Sequence, residues 1–261
     1  HLGLDEAVAV HVGAAPSSLE VLEFFHALGI PLAELWGLSE TCGLVTSNTP
    51  WDTRLGTVGR PLPGFDVRLA ADGEVLVRGV GVMAGYRNLA EQTAEAIDPE
   101  GWLATGDIGE LDDDGYLRIV DRKKELIINA AGKNMSPAEI EGKLKAATPL
   151  IGHAVAIGDR RPYNVALIVL DPDFARAWAA GRGIEDVDLA ALSADRELIA
   201  AVQAAVDEAN RRMARTEQIK RFRVLPDDWQ PCGQELTPTM KLRRRPIEER
   251  YASEIEALYA P

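Results

Sequence analysis

TGDIGELDDDGYLRIVDRKKELIINAAGKNMSPAEIE, residues 105–141, is the stretch whose reading decides the rest of the chain. Asp112-Asp113-Asp114-Gly115 is a tight turn, because Gly after Asp supplies the positive φ that a reversal needs. The residues after it, Tyr116-Leu117-Arg118-Ile119-Val120, are aromatic and β-branched and mark a strand. Asp121-Arg122-Lys123-Lys124-Glu125 then breaks the apolar pattern before Leu126-Ile127-Ile128 resumes it. Five charges between two apolar strands mark a hinge or the rim of a site, not core. Further on, Ser136-Pro137-Ala138-Glu139 has capping-box spacing with Pro at the first helical position, so a helix carrying Ile140 and Leu144 starts there.

Upstream, residues 8–12 read as a buried strand that leaves through Gly13-Ala14-Ala15-Pro16. Ser17-Ser18-Leu19-Glu20 has capping-box spacing, with Ser17 bonding the backbone three residues on. Leu19, Leu22, Phe25 and Leu28 form a helical apolar stripe that Gly29 and Pro31 stop. A second strand over residues 32–37 completes a strand–helix–strand unit, whose ligands belong at the carboxyl ends of its strands. Residues 65–69 and 74–78 alternate around Asp72-Gly73, a hairpin within a small antiparallel sheet or partial barrel. Gly79-Val80-Gly81-Val82-Met83-Ala84-Gly85 fails the dinucleotide spacing and reads as a loop.

Downstream, residues 153–158 and 165–170 form a second hairpin, and residues 222–225 a further strand. A helix near 194–215 turns Leu198, Ile199, Val202, Val206 and Met213 inward, and a last helix from Pro246 does the same with Ile247, Tyr251, Ile255 and Leu258. The architecture expected is α/β (α+β), in two domains over residues 1–120 and 121–261.

The bulk properties narrow the function. A formal net charge of -13 over 261 residues excludes a general nucleic-acid partner, whose phosphates would be repelled. Two cysteines, Cys42 and Cys232, make no disulfide framework, so a reducing cytoplasm is expected. No apolar run reaches the roughly 18 residues of a membrane helix, which leaves room only for peripheral membrane association. The chain opens on His1 in mid-pattern, and it is read as the C-terminal part of a longer protein.

In their order, Thr105-Gly106-Asp107, Asp121-Arg122-Lys123-Lys124-Glu125, Gly132-Lys133-Asn134 and Pro137-Ala138-Glu139-Ile140-Glu141 resemble the adenylate-forming superfamily, which includes acyl-CoA synthetases. The resemblance implies the C-terminal part of a large adenylation domain followed by a small, mobile α+β domain. It implies ATP-dependent activation of a carboxylic acid to an acyl-AMP, with Mg²⁺, and then thioester formation with coenzyme A. The wording of residues 125–141 and the 194–215 insertion look like bacterial long-chain fatty acid–CoA ligases. An aryl or medium-chain acid ligase, or a non-catalytic nucleotide-binding module, are the alternatives.

The same resemblance implies a role for particular residues. Gly13, Ala14, Ala15 and Pro16 would contact adenine, and Trp36 would pack on it beside Gly37. Trp36 stands for the usual Tyr and Ser39 for the usual Thr, which keeps an aromatic plane and a hydroxyl near phosphate. Glu40 would hold Mg²⁺, which often takes only one or two protein oxygens. Asp107 would accept from ribose, with Arg122 near ribose and phosphate and Asp121 as the pivot between domains. Lys241 would reach the α-phosphate during adenylation, and Gly132 and Lys133 would swing in for thioester formation. Taken alone, these are an ordinary turn, a surface acid, a cap and a solvated loop lysine. Arg243, Arg244 and Arg245 open the last helix, where the helix dipole disfavours cations, so something must offset that cost. The superfamily's phosphate loop has no counterpart in these residues, and the 261-residue chain alone is expected not to turn over ATP and fatty acid.

Overall fold

The computed structural model describes residues 3–4, 6–14, 17–129, 132–184 and 188–260. It divides the chain into two compact units, His1–Lys124 and Glu125–Pro261. In the first, β1 (Val10–Val12) lies parallel to β2 (Leu32–Trp36), with α1 (Leu19–Ala27) as the crossover. The helix starts one residue later than the sequence suggests. Ser18, not Ser17, is the cap, and its hydroxyl accepts from the Val21 N–H at 3.3 Å. The Ser17 N–H instead donates to the Glu34 carboxylate at 3.2 Å. The apolar stripe is only partly used: Leu22 is buried, whereas Leu19 and Leu28 are 47% and 60% exposed.

A single 3-10 turn, Ser39–Thr41, follows β2 and leads to β3 (Thr46–Ser47) and β4 (Arg60–Pro61), which extend the sheet in the order β1-β2-β3-β4. An antiparallel sheet comes next, β5 (Phe65–Leu69), β6 (Glu74–Gly79), β7 (Leu103–Leu111) and β8 (Leu117–Arg122), with α2 (Ala90–Ala96) inserted before β7. Register shifts at Glu74/Leu76 and Ile108/Gly109 increase its twist. The turn into β8 forms where the Asp-Gly pair places it. Asp112 Oδ1 accepts from the N–H groups of Asp114 and Tyr116 at 3.0 and 2.8 Å, and Gly115 sits at φ 82°. Val45, Val75, Val77 and Leu117 form the buried cluster of this unit, with Trp36 packed against them.

The second unit begins with β9 (Ile127–Ile128) antiparallel to β10 (Asn134–Met135) and then α3 (Pro137–Ala147). Its cap is the one expected: Ser136 Oγ accepts from the Glu139 N–H at 3.1 Å, with Pro137 at the first helical position. β11 (Ile151–Ile157) and β12 (Asn164–Leu170) form the second hairpin. Then come α4 (Pro172–Ala180), α5 (Leu189–Ser193), α6 (Arg196–Arg211) and β13 (Ile219–Leu225), which lies parallel to β12. The helix expected over 194–215 thus runs over 196–211, and Asp195 caps its start by accepting from Leu198 N–H at 2.9 Å.

β12 is central and buried along its whole length, which is why Val165–Leu170 is apolar without alternation. Its side chains nevertheless alternate in destination. Ala166, Ile168 and Leu170 join Leu198, Val202 and Val206 of α6. Val165, Leu167 and Val169 join Ile247, Ile255 and Leu258 of α7 (Arg244–Arg250) and α8 (Ala252–Tyr259). The last helix is therefore two helices, beginning at Arg244 and interrupted at Tyr251, with the four expected residues inward.

His153 on β11 stacks on Trp229 with ring centroids 5.9 Å apart, and Trp229 Nε1 donates to the Tyr251 hydroxyl at 3.0 Å. Burial pushes the His153 imidazole below its ordinary value of 6.5, and Lys145 adds to the shift against the weaker pull of Asp228 and Asp171. The unfolded chain takes up this proton from about pH 6.5 downward while the folded chain resists it, so stability is lost as pH falls through that value. The urea midpoint is expected to drop between pH 7.5 and pH 5.5, and His153→Phe, which keeps the stacked ring, to flatten that drop. An unchanged slope in the variant would assign it to other groups.

Candidate active site

The ends of β2 and β8 meet the middle of β7 at one carboxylate. Asp107 lies on β7 directly across from Arg122 on β8 and is only 4% exposed. Its Oδ1 receives Arg122 Nε at 2.8 Å, and its Oδ2 accepts from the Trp36 indole N–H at 2.9 Å. The strand beneath is tied down on both sides. The Asp107 N–H donates to Thr105 Oγ1 at 3.1 Å, and that hydroxyl donates to the Val75 carbonyl at 2.7 Å. Gly106 N–H reaches Glu74 at 2.9 Å, and Lys123 pairs with Glu74 and Asp72 at 2.7 and 2.6 Å. A buried carboxylate is stable as an anion only when charge and hydrogen bonds compensate its lost water, and Arg122 and Trp36 do that here.

Asp121, also buried, pairs with Ile108 and accepts from the Arg122 N–H at 2.7 Å. Trp36 leads straight into Gly37, where the chain has no room for a side chain. A Cβ there would lie 1.5 Å from the Gly43 carbonyl oxygen and 2.9 Å from Leu44 Cα. That close approach lets the Gly43 N–H donate to the Leu38 carbonyl at 2.9 Å and folds residues 37–43 into a compact loop. Gly37→Ala is expected to destabilise the fold by about 2 kcal/mol, the scale of overpacking, because both obstacles are backbone. Urea unfolding checks it, and an unchanged midpoint would show that the loop gives way freely.

The loop presents Ser39, exposed, and Glu40, half-buried. Glu40 Oε1 accepts from the Tyr86 hydroxyl at 2.9 Å, and this bond, with burial and the negative charge of Glu40 adding to it, holds the phenol above its ordinary value. Glu40 Oε2 makes no hydrogen bond among the described residues, so it fits a hard cation as one oxygen ligand alongside water and phosphate. No cluster of three His, Cys, Asp or Glu that could cage a metal occurs among the described residues. Tyr86 was not singled out from sequence; it lies 46 residues beyond Glu40, in the Gly-rich loop, with no local signal of the pairing.

Gly13 leaves β1 beside Leu35, whose Cδ1 would be 2.6 Å from a Cβ, and Ala14 takes φ 73°. Ala15 and Pro16 lie outside the described residues.

In the second unit, Gly132 at φ 78° turns the loop between β9 and β10, where the Lys133 N–H donates to Asn129 Oδ1 at 3.0 Å and the Lys133 ammonium to Thr216 at 2.9 Å. Lys241 closes a separate turn: Thr237 N–H donates to its carbonyl at 2.9 Å, and its own N–H to Thr237 Oγ1 at 3.0 Å. The Lys241 side chain is exposed and forms no ion pair among the described residues. Three residues on, Arg244 meets both oxygens of Glu141 at 2.7 and 2.8 Å and Glu125 at 3.1 Å. Burial opposes its charge, but Glu141 and then Glu125 more than offset that, and its pKa is raised. These acids are what compensates a cation at the start of α7. Among the described residues Arg245 makes only the exposed pair with Glu249 at 2.8 Å, and Arg243 Nη1 donates to the Gly233 carbonyl at 3.3 Å.

Residues 4–87 match the family model described as AMP-binding enzyme, and residues 124–261 match AMP-binding enzyme C-terminal domain. A putative fatty-acid–CoA ligase, FadD11, of Mycobacterium tuberculosis is 56% identical over 259 residues, covering 99% of this chain and 45% of that protein. The long-chain-fatty-acid–CoA ligase FadD15 of Mycobacterium bovis is 44% identical over 253 residues, covering 95% and 41%. The chain thus spans less than half the length of the curated relatives it matches. Among solved structures, O-succinylbenzoate coenzyme A synthetase from Bacillus subtilis in complex with AMP is 27% identical with a TM-score of 0.67, over 91% of this chain and 45% of that one. The adenylation domain of a carboxylate reductase from Mycobacterium chelonae shares the fold at 21% identity and a TM-score of 0.77, over 96% and 38%.

Proposed function

The chain belongs to the AMP-binding enzyme family, and from that premise we propose that the enzyme bearing it joins a long-chain fatty acid to coenzyme A through an acyl adenylate. One observation carries the reading. A buried carboxylate, Asp107, is held between a guanidinium and an indole N–H at the carboxyl end of β2, beside the loop that offers Glu40. Sheets of this kind place ligands at their carboxyl ends, and acidic residues there accept from ribose hydroxyls. The fatty-acid ligase names of the relatives that are 56% and 44% identical support the acyl substrate.

In the first step, a carboxylate oxygen of the acid attacks the α-phosphorus of ATP, and the bond to pyrophosphate breaks. Asp107 accepts from the ribose, Arg122 lies against ribose and phosphate, and Trp36 packs on adenine above the turn of Gly13 and Ala14. Lys241 offers its ammonium to the charge building on the α-phosphate and the incoming carboxylate, where a preorganised cation lowers the barrier. Magnesium held by Glu40 would neutralise the departing pyrophosphate. In the second step the chain swivels at Asp121, Lys241 leaves, and Gly132 and Lys133 line the approach of coenzyme A. The thiol loses its proton, its sulfur attacks the acyl carbon, and AMP departs with the bonding electrons. Cys42 and Cys232 are exposed free thiols, which fits a reducing cytoplasm. No helix among the described residues is long and apolar enough to cross a membrane.

A series of acids assayed with the intact enzyme for CoA-dependent AMP formation tests the substrate class. kcat/KM is expected to climb with acyl length to the long chains. A maximum at a medium-chain or aryl acid would overturn the assignment, and no ATP consumption with any acid would favour a binding module.

A further inference from the structure

We infer that Tyr86 biases the Glu40 site toward Mg²⁺ and against Ca²⁺ by occupying one of the two carboxylate oxygens; this rests on the metal-ligand role proposed above for Glu40. The Gly-rich run over residues 79–85, which fails the dinucleotide spacing, has a different task in the fold. It clasps the Ser39–Thr41 turn. The Met83 N–H donates to the Glu40 carbonyl at 2.8 Å. Gly81 passes so close that a Cβ there would lie 2.8 Å from the Thr41 carbonyl oxygen. Tyr86, at the end of the run, is anchored in turn: its N–H donates to Thr93 Oγ1 at 2.9 Å, and its carbonyl accepts from the Leu89 N–H at 3.2 Å. The hydroxyl that reaches Glu40 Oε1 at 2.9 Å thus comes from a residue with a fixed backbone. Glu40 is gripped at its main chain and at its side chain.

That grip has a chemical consequence. Oε1 can meet a cation only by giving up the phenol, or by drawing the cation beside the positive end of the O–H dipole, and both cost free energy. Glu40 therefore offers one oxygen, Oε2, and not a chelating pair. Mg²⁺ loses nothing by this, because it demands octahedral geometry, keeps several waters and is satisfied by one oxygen from a carboxylate. Ca²⁺ gathers roughly six to eight oxygens and readily takes both from one carboxylate, so it forfeits a ligand here. The phenol is a neutral donor. It blocks an oxygen without cancelling the negative charge that attracts either ion, so its effect falls on the choice between them.

The test is calorimetric titration of ATP into the intact enzyme with excess Mg²⁺ or excess Ca²⁺, with no acid present so that nothing turns over. The parent is expected to bind the Mg²⁺ complex more tightly. Tyr86→Phe keeps the ring and frees Oε1, and it should lower the ratio of the two affinities by about fivefold, the scale of one hydrogen bond, through tighter binding of the Ca²⁺ complex. Glu40→Ala should weaken both complexes, and Tyr86→Phe added to it should leave the ratio where it is. Circular dichroism confirms folding, and Tyr86→Leu, which also lacks the hydroxyl, decides if the phenylalanine variant does not fold. A parent without the preference would overturn the inference. So would Tyr86 variants that weaken both complexes equally or leave the ratio unmoved while Glu40→Ala still weakens both, and Tyr86 would then be a packing residue. A Glu40→Ala enzyme that binds both complexes as the parent does would instead remove the metal role of Glu40, and the inference with it.

Discussion

Replacing Lys241 with alanine in the intact enzyme is expected to slow acyl-adenylate formation by about a thousandfold and to leave CoA transfer from preformed acyl-AMP nearly unchanged. The size follows from the removal of one preorganised charge contact made in the transition state, roughly 4 kcal/mol. The selectivity follows from how the residue is held. Its backbone is pinned at both ends by Thr237, Met240 before it takes φ 63°, and Leu236 and Leu242 bridge across the turn. The ammonium itself is exposed, without an ion pair among the described residues. A fixed stem with an unengaged charge suits a group that is delivered to a phosphate and then withdrawn, and a compact ammonium suits charge that forms transiently. Fatty-acid-dependent pyrophosphate release measures the first step, and thioester formation from synthetic acyl-AMP the second. Equal losses in both would mean that the lysine shapes the loop and does not serve adenylation.

The second large effect concerns stability. Arg244→Met is expected to destabilise the chain by about 4 kcal/mol, because it takes the bidentate guanidinium away from Glu141, 8% exposed, at a position itself 14% exposed. The Ala156 N–H, which donates to Glu141 Oε1 at 2.8 Å, would remain. It satisfies one lone pair and supplies no charge. Adding Glu141→Gln should recover much of the loss, since a neutral amide needs no counter-ion. Urea unfolding of the three proteins followed by tryptophan fluorescence, which Trp229 and Trp178 report for this unit, decides it. A single variant within 1 kcal/mol of the parent, roughly the worth of a surface pair, would show that Arg244 and Glu141 are effectively solvated.

What could be read from sequence was local. The Asp112–Gly115 turn, the Ser136 cap with Pro137 and the β11–β12 hairpin each rest on residues a few positions apart, where turn and capping chemistry act. The family resemblance likewise rests on ordered motifs, and the family models match over 4–87 and 124–261. What escaped was of two kinds. Some signals were local and went unread: Asp171 before Pro172 caps α4 by accepting from Phe174 N–H at 3.0 Å, and Ser18 outcompetes Ser17 because Ser17 N–H is drawn to Glu34. Others have no local signature. The Trp36–Asp107 bond spans 71 positions, and the Arg244–Glu141 pair 103. The break at Tyr251 involves neither Gly nor Pro; its hydroxyl is engaged by Trp229, which lies 22 positions upstream. The exposed Leu19 and Leu28 show the converse, an apolar period of which Leu22 is the buried member.

The two-sided sheet of the second unit has a consequence for how this protein can vary. Because successive β12 residues serve separate apolar clusters, both composed of residues beyond 125, a lesion in that strand is felt within one half of the polypeptide. The aspartate proposed to meet the nucleotide, through its indole partner, draws on another set, around Val75 and Leu117. The clusters that β12 serves share no residue with the one against which that indole packs, so hydrophobic drift in β12 is absorbed within its own unit.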